Sequence, residues 1–195
     1  MKYDITTQVD VDLMEQWLST KENRHLATGH VGTHLDTYEK SDIPLDYIKC
    51  KGILWDVSNI AENREISLSD IENLYIPENA FLLLYTGRSE KEKYGTVDYF
   101  REHPQLSNEL IQWLSNQPLC FLGIDCAGIR RGKEHEPADR LLENNGIFVI
   151  ENLSNLNLLQ NTDVFHVYTL WFDDPVATGL RCKVVVDILK GANLS

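Results

Sequence analysis

The chain alternates short apolar runs with polar segments, and the period of each run names the element it predicts. Leu13, Met14, Trp17 and Leu18 fall at helical spacing, with Asp10 or Asp12 placed before them as a cap. Residues 3–9 alternate weakly, as a first strand would. Residues 53–57 read as a strand, and Ser67-Leu68-Ser69-Asp70 opens a short helix as a capping box with Asp in the acidic position. Residues 80–85, 119–124 and 147–150 are continuously apolar, as expected of strands covered on both faces. Leu110, Ile111 and Leu114 mark a helix that begins at Ser107. A second helix runs over 137–144, with Pro137 in its first turn and Asn145-Gly146 as a left-handed cap. Residues 164–171 and 181–189 read as longer strands. Strands and helices interleave, which predicts a layered α/β domain. Thr86, Arg88, Asp125 and Glu151 sit just past buried strands, where open sheets of this kind place ligands. Asp125 reads equally well as a plain strand terminator.

At 195 residues, the length suits one domain spanning 1–195 with a core of its own. A net charge of −12 argues against nucleic acid as a partner, and Arg130-Arg131 with Lys133 is too short a basic run to offset it. No apolar stretch approaches the roughly 20 residues needed to cross a bilayer. Cys50, Cys120, Cys126 and Cys182 are scattered, without a CxxC, and the N-terminus is polar. A cytoplasmic protein with reduced thiols and no membrane partner is expected. Cys126 follows a buried strand, but Ala127-Gly128 after it supplies neither a base nor a helix N-terminus, so it makes a poor nucleophile.

The strongest chemical signal is Gly29-His30-Val31-Gly32-Thr33-His34-Leu35-Asp36. Two imidazoles and a carboxylate within seven residues are side-chain types that bind zinc or manganese. The glycines make a helix improbable here, and on an extended chain His34 and Asp36 point the same way. Three protein ligands would leave a position open for water. His25, His103 and His166 have no such company and read as ordinary surface or core histidines. The four tryptophans read as core, although Trp17 precedes the metal loop.

The motif resembles the signature of the cyclase family of metal-dependent hydrolases, His-x-Gly-Thr-His-x-Asp-x-Pro-x-His. His30, Gly32-Thr33, His34 and Asp36 match, whereas Tyr38 and Lys40 replace the proline and the last histidine. Further matches follow in order: Tyr85-Thr86-Gly87-Arg88, Leu122-Gly123-Ile124-Asp125, Ala138-Asp139-Arg140-Leu141-Leu142 for an Ala-His-Arg-x-Leu-Leu block, and Glu151-Asn152-Leu153. The resemblance implies a swivelling β/β/α domain, a mixed sheet with flanking helices, and a homo-oligomer, dimer or tetramer. In two-metal members of the family, the positions of Lys40, Asp139 and Glu151 hold the second ion. Lysine is a poor ligand, because its amine must first lose a proton. These substitutions lead us to expect one divalent ion, Zn or Mn, on His30, His34 and Asp36, with Glu151 nearby. Lys40 would serve as an ammonium surrogate paired with Asp139 and Glu151. His135, four residues before Asp139, is the rival: a one-turn slip would let it replace the missing ligand.

Two functions follow from the resemblance. One is an arylformamidase-like hydrolase of a small amide, lactam or lactone, with Glu151 as general acid/base, Lys40 as the surrogate charge and Tyr38 as a donor to a developing oxyanion. The other is a degenerate family member that binds a metal or small ligand without turnover.

Overall fold

Among the described residues, eight strands form one sheet whose ends meet. The computed structural model describes residues 1–20, 24–71, 73–162 and 165–189. In chain order the strands are β1 (Lys2–Asp4), β2 (His34–Asp36), β3 (Lys49–Asp56), β4 (Ala80–Tyr85), β5 (Leu119–Ile124), β6 (Phe148–Glu151), β7 (Phe165–Trp171) and β8 (Gly179–Ile188). Their lateral order is β1-β8-β2-β6-β5-β4-β3-β7, and β7 also pairs with β8. That last pairing closes seven strands into a barrel-like ring, with β1 added along β8. The fold is therefore mixed α/β with a closed sheet, where the pattern of apolar runs suggested an open layered one. Strands β3 to β6 run parallel, and β2, β7 and β8 join antiparallel.

The helices are α1 (Val11–Ser19), α2 (Arg24–Thr28), α3 (Ser58–Ala61), α4 (Arg88–Lys91), α5 (Val97–Arg101), α6 (Asn108–Leu114) and α7 (His135–Glu143). The continuously apolar strands are explained by two cores, one on each side of the sheet. Phe81, Leu83, Phe121, Phe148 and Ile150 pack inside the ring with Leu35, Val167 and Val184. The alternate residues Leu82, Leu84, Leu122, Ile124 and Val149 pack outward against Leu110, Ile111, Leu114, Ala138 and Leu142 of α6 and α7.

Local signals placed several ends correctly. Asp10 caps α1 by accepting from Asp12 N, and Ser107 caps α6 by accepting from Leu110 N. The Ser67 capping box forms, but on a single 3₁₀ turn over Leu68–Asp70. The first strand is shorter than the alternation suggested, because the chain leaves the sheet after Asp4. Strand β3 begins four residues earlier than its apolar stretch. The predicted start at Val164 lies outside the described residues. Helix α7 begins at His135, two residues before Pro137, because a 3₁₀ turn over Gly132–Glu134 leads straight into it. That shift matters for the chemistry. Among the described residues, no helix is long and apolar enough to cross a membrane.

Candidate metal centre

Strand β2 lies between β6 and β8, and its alternation sends Leu35 into the ring and His34 and Asp36 to the other face. His34 pairs directly with Glu151 of β6, so their side chains lie side by side. Helix α7 crosses outside, and its register puts His135, Asp139 and Glu143 one turn apart on a single face. His30 comes from the loop before β2.

Two groups of donors result, one of His30, His34 and Asp36 and the other of Asp36, His135, Asp139 and Glu151; within each, the ligand atoms lie within 4.8 Å of one another. Asp36 belongs to both. Its Oδ1 is 3.1 Å from His30 Nδ1 and 3.5 Å from His34 Nε2. Glu151 spans the groups, with Oε2 3.5 Å from His34 Nε2 and Oε1 3.3 Å from His135 Nε2. His135 Nε2 is also 3.3 Å from Asp139 Oδ2.

The donors suit a cation on three counts. First, both oxygens of Asp36 and of Asp139, and Oε1 of Glu151, are buried without a well-formed hydrogen bond, although imidazole nitrogens lie 3.1–3.5 Å from three of them. Orphaned buried carboxylate oxygens are costly unless something positive sits among them. Second, the carboxyls are electrostatically incompatible by themselves. Burial together with Asp36 and Glu143 pushes Asp139 well up, and burial together with Asp36 and Asp139 does the same to Glu151. Burial alone would raise Asp36 too, but His34 and His30 beside it hold it below the ordinary carboxylate range. Third, each imidazole has its far nitrogen occupied. His34 Nδ1 donates to Gly32 O at 2.9 Å and His135 Nδ1 donates to Arg130 O at 3.2 Å, while His30 Nε2 lies 2.9 Å from Thr178 Oγ1. That is how ligating histidines are held in the required tautomer. The space for a ligand is kept by Gly128, where a Cβ would come within 2.6 Å of His135 Nδ1 and 2.8 Å of Glu151 Oε1.

Lys40 does not join these groups. Its backbone is left-handed (φ 58°), its side chain is exposed, and it lines a cleft of about 320 Å³ with Trp171, Asp174 and Leu180. Its charge faces Asp174, whose carboxyl it helps to hold down after two backbone hydrogen bonds. The expected ammonium surrogate beside Asp139 and Glu151 is thus corrected. The segment that carries Lys40 is held instead by Glu143, whose carboxylate accepts from Thr37 Oγ1 (3.0 Å), Glu39 N (2.9 Å) and Ser41 N (3.0 Å). The imidazole beside Asp139 and Glu151 is that of His135. Tyr38 remains close, its ring 5.7 Å from that of His30 and beneath the Arg140 guanidinium. Burial, then Asp36, Asp139 and Glu151, raises its phenol far above the ordinary value, so it stays protonated.

Sequence reasoning missed Glu143, Gly128, Thr178 and Asn152. Glu143 was legible as the third polar residue in a four-residue series on α7. Asn152 follows Glu151 and donates from Nδ2 to Gly32 O at 3.1 Å, tying the end of β6 to the histidine loop. Nothing in the pattern marked Gly128 or Thr178. Trp17 packs against Tyr94 and Phe100. The side chain of His25 lies outside the described residues.

Asp125 proves to be a fastener: it accepts from Thr86 N, Thr86 Oγ1 and Gly87 N, linking the ends of β4 and β5. Cys126 is buried, and its thiol is pushed well up by burial. Its Sγ is 3.9 Å from His103 Nδ1, but that nitrogen lies 2.9 Å from Pro104 O and donates there, so it cannot serve as a base. Burial pushes His103 down to about 4. The folded state therefore refuses a proton that the unfolded chain takes up below about pH 6.5, and this contribution to stability declines as pH falls from there to about 4. Urea denaturation of wild type and His103→Gln at stepped pH should show the wild type losing ground across that window, by up to roughly 1.4 kcal/mol per pH unit. Parallel curves would refute it.

The chain belongs to the Cyclase family, whose model matches residues 3–130. Similar solved structures agree on the fold. Isatin hydrolase A from Labrenzia aggregata, bound to benzyl benzoate, superposes with a TM-score of 0.72 at 20% identity, covering 95% of this chain and 93% of that one. A protein described as a potential metal-dependent hydrolase with cyclase activity gives 0.70 at 20% identity over 98% and 99%. A predicted metal-dependent hydrolase from Bacillus stearothermophilus gives 0.64 at 20% identity over 95% and 97%. No curated protein is similar enough in sequence to be matched.

Proposed function

We propose that the protein is a metal-dependent hydrolase of a small amide, lactam or lactone, working with two adjacent divalent cations that share Asp36. The observation that carries this reading is the set of buried carboxylate oxygens left without well-formed hydrogen bonds among three histidines, each held by its far nitrogen. His30, His34 and Asp36 would hold one cation, and Asp36, His135, Asp139 and Glu151 the other. A divalent cation there supplies Lewis acidity, making water acidic near neutral pH and polarising a carbonyl.

The chain's own groups do the rest. Glu151 Oε2, on the His34 side, takes the proton of the attacking water and returns it to the leaving nitrogen or oxygen. The Tyr38 phenol keeps its proton and donates a hydrogen bond to the developing oxyanion. Thr37, Glu39 and Ser41, clamped by Glu143, hold Tyr38 in place over His30. Two imidazoles and a carboxylate at one position suit zinc, and one imidazole with three carboxylates at the other suits zinc or manganese. The family resemblance supports the finer readings as well: a swivelling β/β/α arrangement, an arylformamidase-like substrate, and a dimer or tetramer; the scattered cysteines support a reducing, cytoplasmic setting. The alternative of binding without turnover rested on the lost histidines, and His135 removes much of its motive.

Metal content measured by mass spectrometry on tag-free protein should approach two equivalents. His135→Ala should lower it by about one equivalent, and Lys40→Ala should leave it unchanged. No metal after reconstitution would overturn the reading; a loss on Lys40→Ala would restore the surrogate. Loaded protein is then screened with formyl amides, lactams and lactones.

A further inference from the structure

We infer that Thr178 is a positioning residue for His30, holding its ring so that Nδ1 faces the cation. This rests on the proposed cation at His30, His34 and Asp36. The other two histidines are fixed by backbone carbonyls close to them in sequence, Gly32 and Arg130. His30 is fixed by a side chain 148 residues away, with its Nε2 2.9 Å from Thr178 Oγ1. A neutral imidazole carries one N–H. For Nδ1 to ligate, that proton sits on Nε2, and the Thr178 hydroxyl oxygen accepts it there.

The surrounding segment is built to hold this contact. Asp174 Oδ1 accepts from Val176 N (2.8 Å) and Ala177 N (2.9 Å), which shapes the turn leading into Thr178. Thr178 O then accepts from Thr37 N at 2.8 Å, just past Asp36. Gly179 lies flat against the next part of the motif, where a Cβ would be 3.0 Å from both the His30 ring and the Gly29 carbonyl carbon. Residues 177–179 therefore clasp the metal motif at both ends, and Thr178 is the one of them that touches a ligand's polar atom. Without that hydroxyl, His30 keeps its place in the chain and its Nδ1 contacts to His34 Nε2 and Asp36 Oδ1, both at 3.1 Å, but loses the partner of its far nitrogen.

The test uses the full chain, stripped of metal and titrated with zinc against a chromophoric chelator. Thr178→Val should weaken zinc binding at one of the two positions, the one His30 shares with His34 and Asp36, by about 10–100-fold, as loss of such outer partners does, and Thr178→Ser should restore it to within about threefold. The metal-free melting temperature should be the same for all three proteins, because the Thr37 N bond to the backbone at residue 178 is kept. Wild-type affinity in Thr178→Val, or no rescue by serine, overturns the proposal. If the valine variant does not fold, Thr178→Ala removes the hydroxyl without adding a methyl, and unchanged zinc affinity there overturns it equally. Wild type that binds no zinc would instead overturn the metal reading itself, and the positioning role with it.

Discussion

Asp36→Asn is expected to yield a folded protein that retains neither divalent cation and loses about 10⁴-fold or more in kcat/KM, the scale of several kcal/mol of Lewis-acid stabilisation. Asp36 is the side chain common to both donor groups, and in the group with His30 and His34 it is the carboxylate. An amide keeps the shape and supplies a neutral oxygen. His30→Ala and His135→Ala each remove a ligand from one group only, so their metal losses should be partial where that of Asp36→Asn is complete. Stability gives a second readout: added metal raises the melting temperature of a protein that binds it only when folded. Asp36→Asn should melt where chelated wild type melts and should not respond to zinc or manganese. A variant that keeps two equivalents, or that melts with metal like wild type, would show that Asp36 is not shared.

Gly29→Ala should be the most destabilising small substitution in the metal loop. Gly29 has φ +83°, and a Cβ there would lie 1.8 Å from Gly179 O and 3.0 Å from Gly179 C. The clash is with backbone, so no side-chain rotation relieves it. Strain at positive φ costs about 1–2 kcal/mol, and forcing the chains apart adds roughly 1–3 kcal/mol. A total near 4 kcal/mol would lower the melting temperature by about 8–16 °C for a chain of this size. Gly132→Ala separates the two causes: Gly132 also has positive φ (+60°), but nothing lies within 4 Å of its Cβ position. It should lose only the conformational share, about 1–2 kcal/mol. Equal losses in the two variants would mean that backbone strain alone matters and that the contact with Gly179 does not.

Much of the metal motif was legible because its spacing is local. His34 and Asp36 share a face because two residues apart on a strand always do, and the strand forms here as the glycine-rich loop suggested. The buried strands and the caps at Asp10 and Ser107 were legible for the same reason: period and capping are properties of a few neighbouring residues. The helix boundary at His135 was not, since Pro137 marks a favourable early position without saying how many residues precede it. That two-residue difference placed His135 one turn before Asp139 and facing the site.

What the sequence determined by itself was therefore the chemistry on offer: two imidazoles and a carboxylate in an extended segment, apolar strands to be covered on both faces, and a glutamate at the end of one of them. Only the tertiary structure decided which distant groups complete it. His135, and not Lys40, lies beside Asp139 and Glu151, while Glu143, 106 residues from Thr37, binds the segment that carries Lys40. Thr178 reaches His30 because β8 pairs with β2, and the sheet closes because β7 pairs with β8. Such outcomes follow from strand register and helix packing, which sum many weak contacts between residues far apart in the chain. Local periodicity records which face a side chain takes, and the packed fold alone determines what that face meets.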